Sequence, residues 1–239
     1  MNQKTGVNKV EPYINVKTAV FDMQGYLEIT NARLSHLASL QLQLSGKSIV
    51  DVGCGTGRLT EFLVGQGANV FGVDGREDNI QQMRIFYPHV KAEVVDLETD
   101  DLLKYGPFDI MFCYGILYHL SDPLHFIKNA EKLCSDMILI ETCITDAVEP
   151  ICKIVVEDGT NNSQSIHHAG SRPSPAYVIF CLKKAGFPFI YEPIEKPAHP
   201  EFHYTKQNNY ESHQNGHLIR EIFIASKKPL DHGRLVLVG

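Results

Sequence analysis

The chain has 239 residues, of which 44% are hydrophobic and 21% charged, and its formal net charge is −6. This composition is apolar enough to bury a core and argues against general disorder. The length suits one α/β domain with embellishments. Because binding to a long nucleic acid is dominated by phosphates and needs a basic surface, the acidic balance does not favour that class of partner, although a local basic patch would be compatible with it.

Cysteine usage and hydropathy bear on the cellular compartment in which the protein is expected to reside. The six cysteines, at positions 54, 113, 134, 143, 152 and 181, form no C-x-x-C pair and no zinc-finger spacing. No apolar run approaches the roughly 20 residues that a membrane span needs, and the first residues lack the apolar core of a signal peptide. We therefore expect a reduced, cytoplasmic protein with no membrane partner. A homodimer is compatible with the sequence.

The N-terminal part of the chain predicts a helical extension. Residues 1–15 are polar, and from Val16 to Leu44 apolar side chains recur at helical spacing. Ser45-Gly46 is expected to end this helix. We divide the chain into a helical cap or lid over residues 1–45 and a main domain over residues 46–239.

The next hundred residues alternate between short apolar strands and helices. Strands are predicted over 47–52, 69–73, 90–95, 108–114 and 137–142, and helices over 58–66, 77–86 and 123–133. Such alternation is typical of βαβ units and a parallel, doubly wound sheet.

The alternation breaks after Thr142. The remaining elements in chain order are a polar insertion over 143–173, a helix over 175–185, a strand over 187–192, a second polar insertion over 193–217 and a last strand over 217–226. Long irregular segments inside a domain usually carry function, so we expect the two insertions to hold the substrate-binding lid or loops.

A glycine-rich loop follows the first strand. Asp51 stands at the strand end, Gly53, Gly55 and Gly57 follow, and a helix begins next. Glycines allow a sharp turn and let a ligand approach bare backbone, and the helix N-terminus offers free N–H groups. The dinucleotide fingerprint G-x-G-x-x-G would need a glycine or alanine where Arg58 stands, so the spacing argues against a pyrophosphate ligand.

Two further acids end the neighbouring strands. Asp74 closes NVFGVD, at a position that abuts the glycine loop in a doubly wound sheet, where a carboxylate can accept both hydroxyls of a ribose. Asp96 ends the third strand, where a polar side chain can meet an adenine amino group. The alternative interpretation of Asp96 is a cap on the following helix.

These segments resemble the class I S-adenosylmethionine-dependent methyltransferase family. VDVGCGTG is similar to its first motif, VFGVDG to its second, EVVDLE to its third and FDIMFCYGILYHLSDP to its fourth. The resemblance covers residues 45–142 and implies a Rossmann-like, seven-stranded, mainly parallel sheet with its last strand antiparallel. It implies S-adenosylmethionine as cofactor, with contacts from Asp51, Gly53, Cys54, Gly55, Gly57, Asp74, Gly75, Asp96, Leu97, Cys113 and Tyr114.

A shorter similarity points to a subgroup. GILYHLSDP, RPSPAYVIFCLKKAGF and REIFIASKKP resemble segments of the tRNA wobble-uridine carboxymethyltransferases and their small-molecule relatives. Because this chain is acidic, we favour transfer to a small metabolite or natural-product intermediate. Modification of a tRNA nucleobase is one alternative, and a non-catalytic protein that only binds the cofactor is another.

Methyl transfer is an in-line displacement that often needs a base near the acceptor. His119, after the fourth strand, is the first candidate for that base, with Tyr118 beside it and His168 as further catalytic candidates. His119 could instead be a packed or helix-capping residue. Candidates for contact with the acceptor are Tyr26, Glu141, His167, Arg172, His203 and Tyr204.

Three of these candidates have structural alternatives. Glu141 could bind an acceptor amine or hydroxyl, or it could be a hydrogen-bonded structural acid. Arg172 could clamp a carboxylate or phosphate bidentately, or it could lie on the surface. Tyr26 belongs to a segment that could cover the cofactor or simply pack on the sheet.

Four histidines cluster in the second insertion. They are His199, His203, His213 and His217, with Glu201 and Glu211 nearby. These side chains could hold a divalent cation, but no H-x-x-x-H pair lies on a helix. We therefore predict no metal and a lid over the acceptor, with Tyr204 and Tyr210 as its walls.

Overall fold

The central sheet grows from the alternating segment of the sequence. In the computed structural model, which describes residues 16–239, that segment forms, in chain order, β1 Ser48–Val52, α2 Arg58–Gly65, β2 Asn69–Asp74, α3 Glu77–Phe86, β3 Lys91–Val94, β4 Phe108–Tyr114, α4 Pro123–Leu133 and β5 Cys134–Cys143, preceded by α1 Gln24–Leu40. All five strands pair in parallel, in the order β5-β4-β1-β2-β3. The predicted doubly wound α/β fold is confirmed.

The second half of the chain completes the sheet and adds two ribbons. Its elements are β6 Cys152–Val156, β7 Ala169–Pro173, α5 Pro175–Ala185, β8 Phe189–Pro193, β9 His213–Gln214, β10 His217–Leu218, β11 Arg220–Ser226 and β12 Leu235–Leu237. The full order is β12-β8-β11-β5-β4-β1-β2-β3, and β11 runs antiparallel to both β5 and β8. The reversed strand was predicted.

The predicted number of strands is wrong. The sheet has eight strands because β12, only three residues long, pairs antiparallel with the outer edge of β8. A strand of that length carries too little periodicity to be recognised in sequence.

Two other boundaries differ from the predictions. A 3-10 helix over Val16–Asp22 precedes α1, and Gln41, in the left-handed conformation with φ 55°, ends α1. The predicted end at Ser45-Gly46 is therefore wrong. The predicted polar segment over residues 1–15 lies outside the described residues.

The first insertion, predicted as a long loop, contains an antiparallel ribbon of β6 and β7. Val156 and Ile154 on β6 are exposed, so the ribbon lacks the buried face that makes a strand recognisable in sequence.

Helix boundaries match where capping chemistry defines them. Asp122 and Ser174 are the N-caps of α4 and α5, and their side chains accept hydrogen bonds from the backbone N–H groups of His125 and Tyr177. A proline occupies the first turn of both helices, where its missing N–H costs nothing.

The two faces of the sheet carry separate halves of the core. Val50 belongs to the cluster that packs against α4 and α5, whereas its neighbour Ile49 belongs to the cluster that contains Leu37 and Leu40 of α1. Successive strand residues point to opposite faces of the sheet. Because helices cover both faces, Val50 and Ile49 are both fully buried. No helix within residues 16–239 is long and apolar enough to cross a membrane.

Candidate active site

A cavity opens where the carboxyl ends of β1, β2 and β4 meet. It encloses about 1050 Å³ of empty space, its solvent-facing mouth included. Its wall is formed by the glycine loop after β1, the ends of β2 and β4, side chains of α1, and residues 162–167 from the first insertion. Open parallel sheets bind ligands at this edge, because the loops diverge there and leave a crevice.

The glycine loop has a conformation that other residues rarely adopt. Gly53, Gly55 and Gly57 have φ values of 71°, 56° and 91°. A Cβ on Gly53 would lie 2.7 Å from the side chain of Ile116, which also lines the cavity. The backbone N–H groups of Gly53 and Cys54 donate to the carbonyl oxygen of Val73, at 2.8 and 3.0 Å, and so fix the loop to β2. The loop thereby exposes backbone to the cavity.

Asp74 joins β2 to the glycine loop. Gly55 N–H donates to its Oδ2 at 3.0 Å, while Arg76 N–H and the Asn79 amide donate to Oδ1 at 2.9 and 3.1 Å. The predicted contact between Asp74 and the glycine loop is therefore present. Burial raises the pKa of the Asp74 carboxyl, against the effect of these three hydrogen bonds.

Asp51 is a second buried acid beside the loop. It is 3% exposed, and the Thr60 hydroxyl donates to its Oδ2 at 2.5 Å. Burial, with a smaller contribution from the nearby Asp74 carboxylate, raises the pKa of Asp51 to about 7 against the opposing effect of the Thr60 hydrogen bond. Asp51 therefore changes charge near neutral pH, and a cation in the cavity would favour its ionised form.

Asp96 lines the cavity and also caps a turn. Glu98 N–H donates to its Oδ1 at 3.0 Å, the Thr99 hydroxyl donates to Oδ2 at 2.8 Å, and His167 Nε2 lies 2.8 Å from Oδ2. Desolvation acts to raise the pKa of Asp96, but these hydrogen bonds prevail and lower it. Leu97 and Gly75 lie beside it in the cavity wall.

The 3-10 helix over Val16–Asp22 and the N-terminal half of α1 close one side of the cavity. Phe21 and Tyr26, whose rings meet edge-on at 5.0 Å, line it together with Thr30 and Arg33. Tyr114 contributes from the end of β4, whereas Cys113, one residue earlier, belongs to the core. Arg33 Nε and the Tyr114 hydroxyl are buried without a hydrogen-bond partner within residues 16–239. Buried polar atoms are normally satisfied, so these two favour a polar ligand in the cavity.

His119 and Tyr118 both reach the cavity from the 3-10 helix after β4. His119 Nδ1 lies 2.5 Å from Glu157 Oε2, and the His119 side chain is 10% exposed. Burial lowers the pKa of His119, while the Glu157 hydrogen bond opposes that effect. His119 is thus mostly neutral at neutral pH and able to accept a proton.

The Tyr118 ring contacts two guanidinium groups. The guanidinium carbons of Arg172 and Arg220 lie 5.2 and 5.0 Å from the ring centroid. Burial raises the pKa of the Tyr118 hydroxyl, so it remains protonated. Arg172 also donates to Tyr118 O at 3.2 Å and to Glu157 Oε1 at 3.3 Å. Arg172, which was a candidate clamp for the acceptor, therefore supports this wall from behind, outside the cavity lining.

Glu141 lies beneath the site rather than in the cavity wall. It is fully buried and accepts from Arg33 Nη2 at 2.8 Å and from Arg220 Nη1 at 3.1 Å. Both oxygens are occupied by guanidinium groups, so the geometry matches the structural alternative for this acid.

Several predicted residues do not line the cavity. His168 adopts φ 59° and accepts from Gly159 N–H at 3.2 Å. His203 Nε2 bonds to Pro197 O at 2.9 Å, and the Tyr204 hydroxyl donates to Glu221 at 2.7 Å. Gly57 supports the loop behind the wall, against Tyr87. His167 is the one histidine of the adjacent pair that lines the cavity.

The second insertion contributes neither a wall nor a metal site. The cavity lining includes no residue of 193–217, and Tyr210 instead donates to Glu149 at 3.0 Å. Residues 162–167 of the first insertion cover the cavity in its place. Within residues 16–239, no three His, Cys, Asp or Glu side chains converge to hold a metal ion. The six cysteines are free thiols.

Three residues at the site were missed in the sequence. Arg33 carried a signal, because a charged residue among the buried positions of α1 needs a partner. Glu157 and Arg220 carried none, because their partners are distant in sequence and lie on other elements.

Comparison with known proteins agrees with this geometry. Residues 50–136 match the family described as "Methyltransferase domain". The ubiquinone biosynthesis O-methyltransferase of Coxiella burnetii is 37% identical over 114 residues, which cover 44% of this chain and 46% of that protein. The tRNA U34 carboxymethyltransferase of Actinobacillus succinogenes is 31% identical over 162 residues, 64% of this chain and 48% of that protein. The chain thus spans about half the length of these curated relatives.

A solved structure extends the likeness to most of the fold. The N-terminal domain of EvdMO1, crystallised with S-adenosylhomocysteine (SAH), superposes with a TM-score of 0.64 at 22% identity, over 85% of this chain and 84% of that one. The fold and the cavity define an α/β protein with a crevice at the carboxyl edge of its sheet. Residues 50–136 match a methyltransferase domain, and the chain is similar in sequence and fold to S-adenosylmethionine-dependent methyltransferases.

Proposed function

We propose that this protein binds S-adenosylmethionine in the cavity and transfers its methyl group to a small-molecule acceptor. The observation that carries the proposal is the bond from Gly55 N–H to Asp74 Oδ2. It places an acid at the end of β2 against a glycine loop that lacks the spacing for a pyrophosphate. The O-methyltransferase and structural relatives described above support the same activity.

The residues of the cavity fit the cofactor. In this proposal Asp74 accepts the ribose hydroxyls, and Asp96 and Leu97 contact the adenine, since all three residues line the cavity. Arg33 Nε and the Tyr114 hydroxyl, both lacking a partner in the described chain, suit a carboxylate. Asp51, which titrates near neutral pH, suits an ammonium. Together these groups match the carboxylate and ammonium of the amino-acid end and the ribose and adenine of the nucleoside end.

The bound cofactor supplies an activated methyl group on a sulfonium. Transfer of that methyl group to the acceptor would leave a neutral thioether and release the acceptor proton. His119, whose lowered pKa keeps the ring neutral, accepts that proton. A positioned base of this kind contributes about 10²–10⁴-fold to rate. Tyr118, whose ring contacts two guanidinium groups, orients the acceptor beside it.

The experiment is a calorimetric titration with SAH, since the chain contains no tryptophan to report binding. We expect saturable 1:1 binding. Absence of binding at millimolar SAH would overturn the proposal. Turnover is then measured as release of SAH with a panel of phenols, hydroxybenzoates, catechols and amines. We expect His119→Gln to lower turnover without weakening SAH binding.

Modification of a tRNA nucleobase is a second candidate, because the curated tRNA U34 carboxymethyltransferase aligns with 64% of this chain. It predicts that unmodified tRNA binds with an affinity that falls steeply with salt. A flat salt response, or no tRNA binding, removes it. A protein that binds SAH but methylates neither tRNA nor any small molecule of the panel would match the non-catalytic alternative.

A further inference from the structure

A single loop of the first insertion spans the cavity mouth. Residues 157–168, which connect β6 to β7, are defined here as the cover segment. Arg76 Nη2 donates to Gly159 O and Gln164 O, both at 3.0 Å. Asn79 and Asn162 exchange two hydrogen bonds, at 3.3 and 3.2 Å. The cover segment is thus fixed to the turn and helix that follow Asp74.

Glu157 stands at the start of the cover segment and bonds in two directions. Its Oε2 accepts from Ser165 N–H at 2.9 Å and lies 2.5 Å from His119 Nδ1, while Oε1 accepts from Arg172 at 3.3 Å. The Glu157 side chain is only 5% exposed. The same carboxylate therefore closes the cover segment on itself and holds a histidine of the cavity wall.

The charge on Glu157 decides which ring nitrogen of His119 carries the proton. Desolvation acts to raise the pKa of Glu157, but the His119 hydrogen bond, with Ser165 N–H and Arg172, prevails and lowers it. An ionised carboxylate only accepts hydrogen bonds, so Nδ1 must donate. In the neutral ring, Nε2 then holds the free lone pair.

We propose that Glu157 is a positioning residue. It fixes the Nδ1–H tautomer of His119 and directs the Nε2 lone pair of His119 to the acceptor. This inference rests on the proposed function and deepens it. Because Glu157 belongs to the cover segment, whose residues 162–167 line the cavity, the base is set in place when the cover segment is seated. Orientation of a catalytic base by a third group is a general device in enzymes.

The electrostatic environment of His119 makes the role measurable. The groups that face it are the Glu157 carboxylate, the Arg172 and Arg220 guanidinium groups and the Tyr118 ring. Burial lowers the pKa of His119, Glu157 raises it, and the two arginines lower it. Neutralising Glu157 removes the opposing effect, so the pKa should fall further.

The test is nitrogen-15 NMR of histidine-labelled full-length protein with saturating SAH, which needs no acceptor. The His119 resonances are assigned by their loss in His119→Asn. In the wild type at pH 8 we expect the Nδ1–H tautomer. In Glu157→Gln we expect a mixture of tautomers and a titration midpoint lower by about one pH unit.

The matched control is Asp158→Asn. Asp158 is the next residue of the cover segment, but it is exposed and its carboxylate accepts from Thr160. We expect it to leave the tautomer and midpoint of His119 unchanged. Glu157→Asp, which keeps the charge, should retain most of the Nδ1–H form.

Three results would overturn the inference. They are an Nε2–H tautomer in the wild type, an unchanged tautomer and midpoint in Glu157→Gln, or an equal change in Asp158→Asn. The first needs no variant, so it holds even if Glu157→Gln fails to fold. Failure of SAH to bind would instead contradict the proposed function, while the His119 tautomer of the free protein would still test the pairing.

Discussion

Arg33 Nη2 donates a 2.8 Å hydrogen bond to Glu141 Oε2, across 108 residues of sequence. The bond ties α1 to the centre of the sheet, where Glu141 is fully buried and also accepts from Arg220. The Nε–H donor of Arg33 is buried and has no partner within residues 16–239. A single guanidinium thus anchors the N-terminal helix and offers a free N–H at the cavity.

Arg33→Met should destabilise the protein, because it leaves the buried Glu141 with one guanidinium instead of two. Breaking a buried ion pair costs about 3–5 kcal/mol, and the remaining Arg220 places this case at the lower end. Urea denaturation measures the free energy of unfolding. Adding Glu141→Gln should recover part of the loss. Lys47→Met, at a half-exposed surface pair with Asp136, should cost less than about 1 kcal/mol.

Asp74→Asn should weaken binding of SAH about 10–100-fold, since a neutral amide replaces a charge-assisted acceptor at the glycine loop. Calorimetry measures the affinity, and a melting curve establishes that the variant is folded. Asp101→Asn, which alters the cap of a 3-10 helix away from the cavity, is the control. Equal affinities for Asp74→Asn and the wild type would contradict the placement of the cofactor.

Gly57→Ala should destabilise the glycine loop by about 2 kcal/mol or more. Gly57 has φ 91°, and a Cβ there would lie 2.7 Å from the Tyr87 ring and 3.0 Å from Met83. Gly46 also has a positive φ, of 74°, but nothing lies within 4 Å of its Cβ position. Gly46→Ala should therefore lower the free energy of unfolding by about 1 kcal/mol, which is the cost of placing alanine at a positive φ without any steric clash. Equal costs in urea denaturation would disprove the steric contact.

Stability should fall with pH because of Asp51. Its folded pKa of about 7 lies above the ordinary value of 3.8, so the folded state binds the proton more tightly than the unfolded state. The stabilisation is complete below about pH 4 and is lost as the pH rises to about 7. Between these limits the wild type should lose roughly 2–4 kcal/mol relative to Asp51→Asn, measured by urea denaturation across pH.

Asp109→Asn is the control for this titration. Hydrogen bonds from Ser48 lower the pKa of Asp109, so its carboxylate is ionised in both states over that range. The difference between the wild type and Asp109→Asn should stay constant from about pH 5 to 7. Parallel stability curves for the wild type and Asp51→Asn would show that Asp51 remains ionised in the folded protein.

The sequence predicted the sheet where local chemistry determines it. The helices that Asp122 and Ser174 cap begin where the sequence placed them, because a cap, a proline and an apolar face act over a few residues. The short β12 and the ribbon of β6 and β7 were missed, since their pairing depends on what the rest of the chain brings beside them.

The residues of the site also differ in whether their signal is local in sequence. Asp51, Asp74, Gly53 and Gly55 line the cavity as the sequence suggested, because the loop is local in sequence and its conformation restricts its residues. Glu157 could not be found, because it meets His119 only after the first insertion folds back over the cavity. The second insertion, expected to form a lid over the acceptor, contributes no residue to the cavity lining, because its polar side chains carry no local signal of where they fold.

The ribbon that carries the cover segment stands apart from the rest of the architecture. Among the described strands, β6 and β7 pair only with each other and share no ladder with the eight-stranded sheet. Insertions, deletions or exchanges in the loop between them would leave the backbone hydrogen bonds of the main sheet intact. Evolution could thus alter what enters the cavity by rewriting a dozen residues, while inheriting the cofactor-binding frame unchanged.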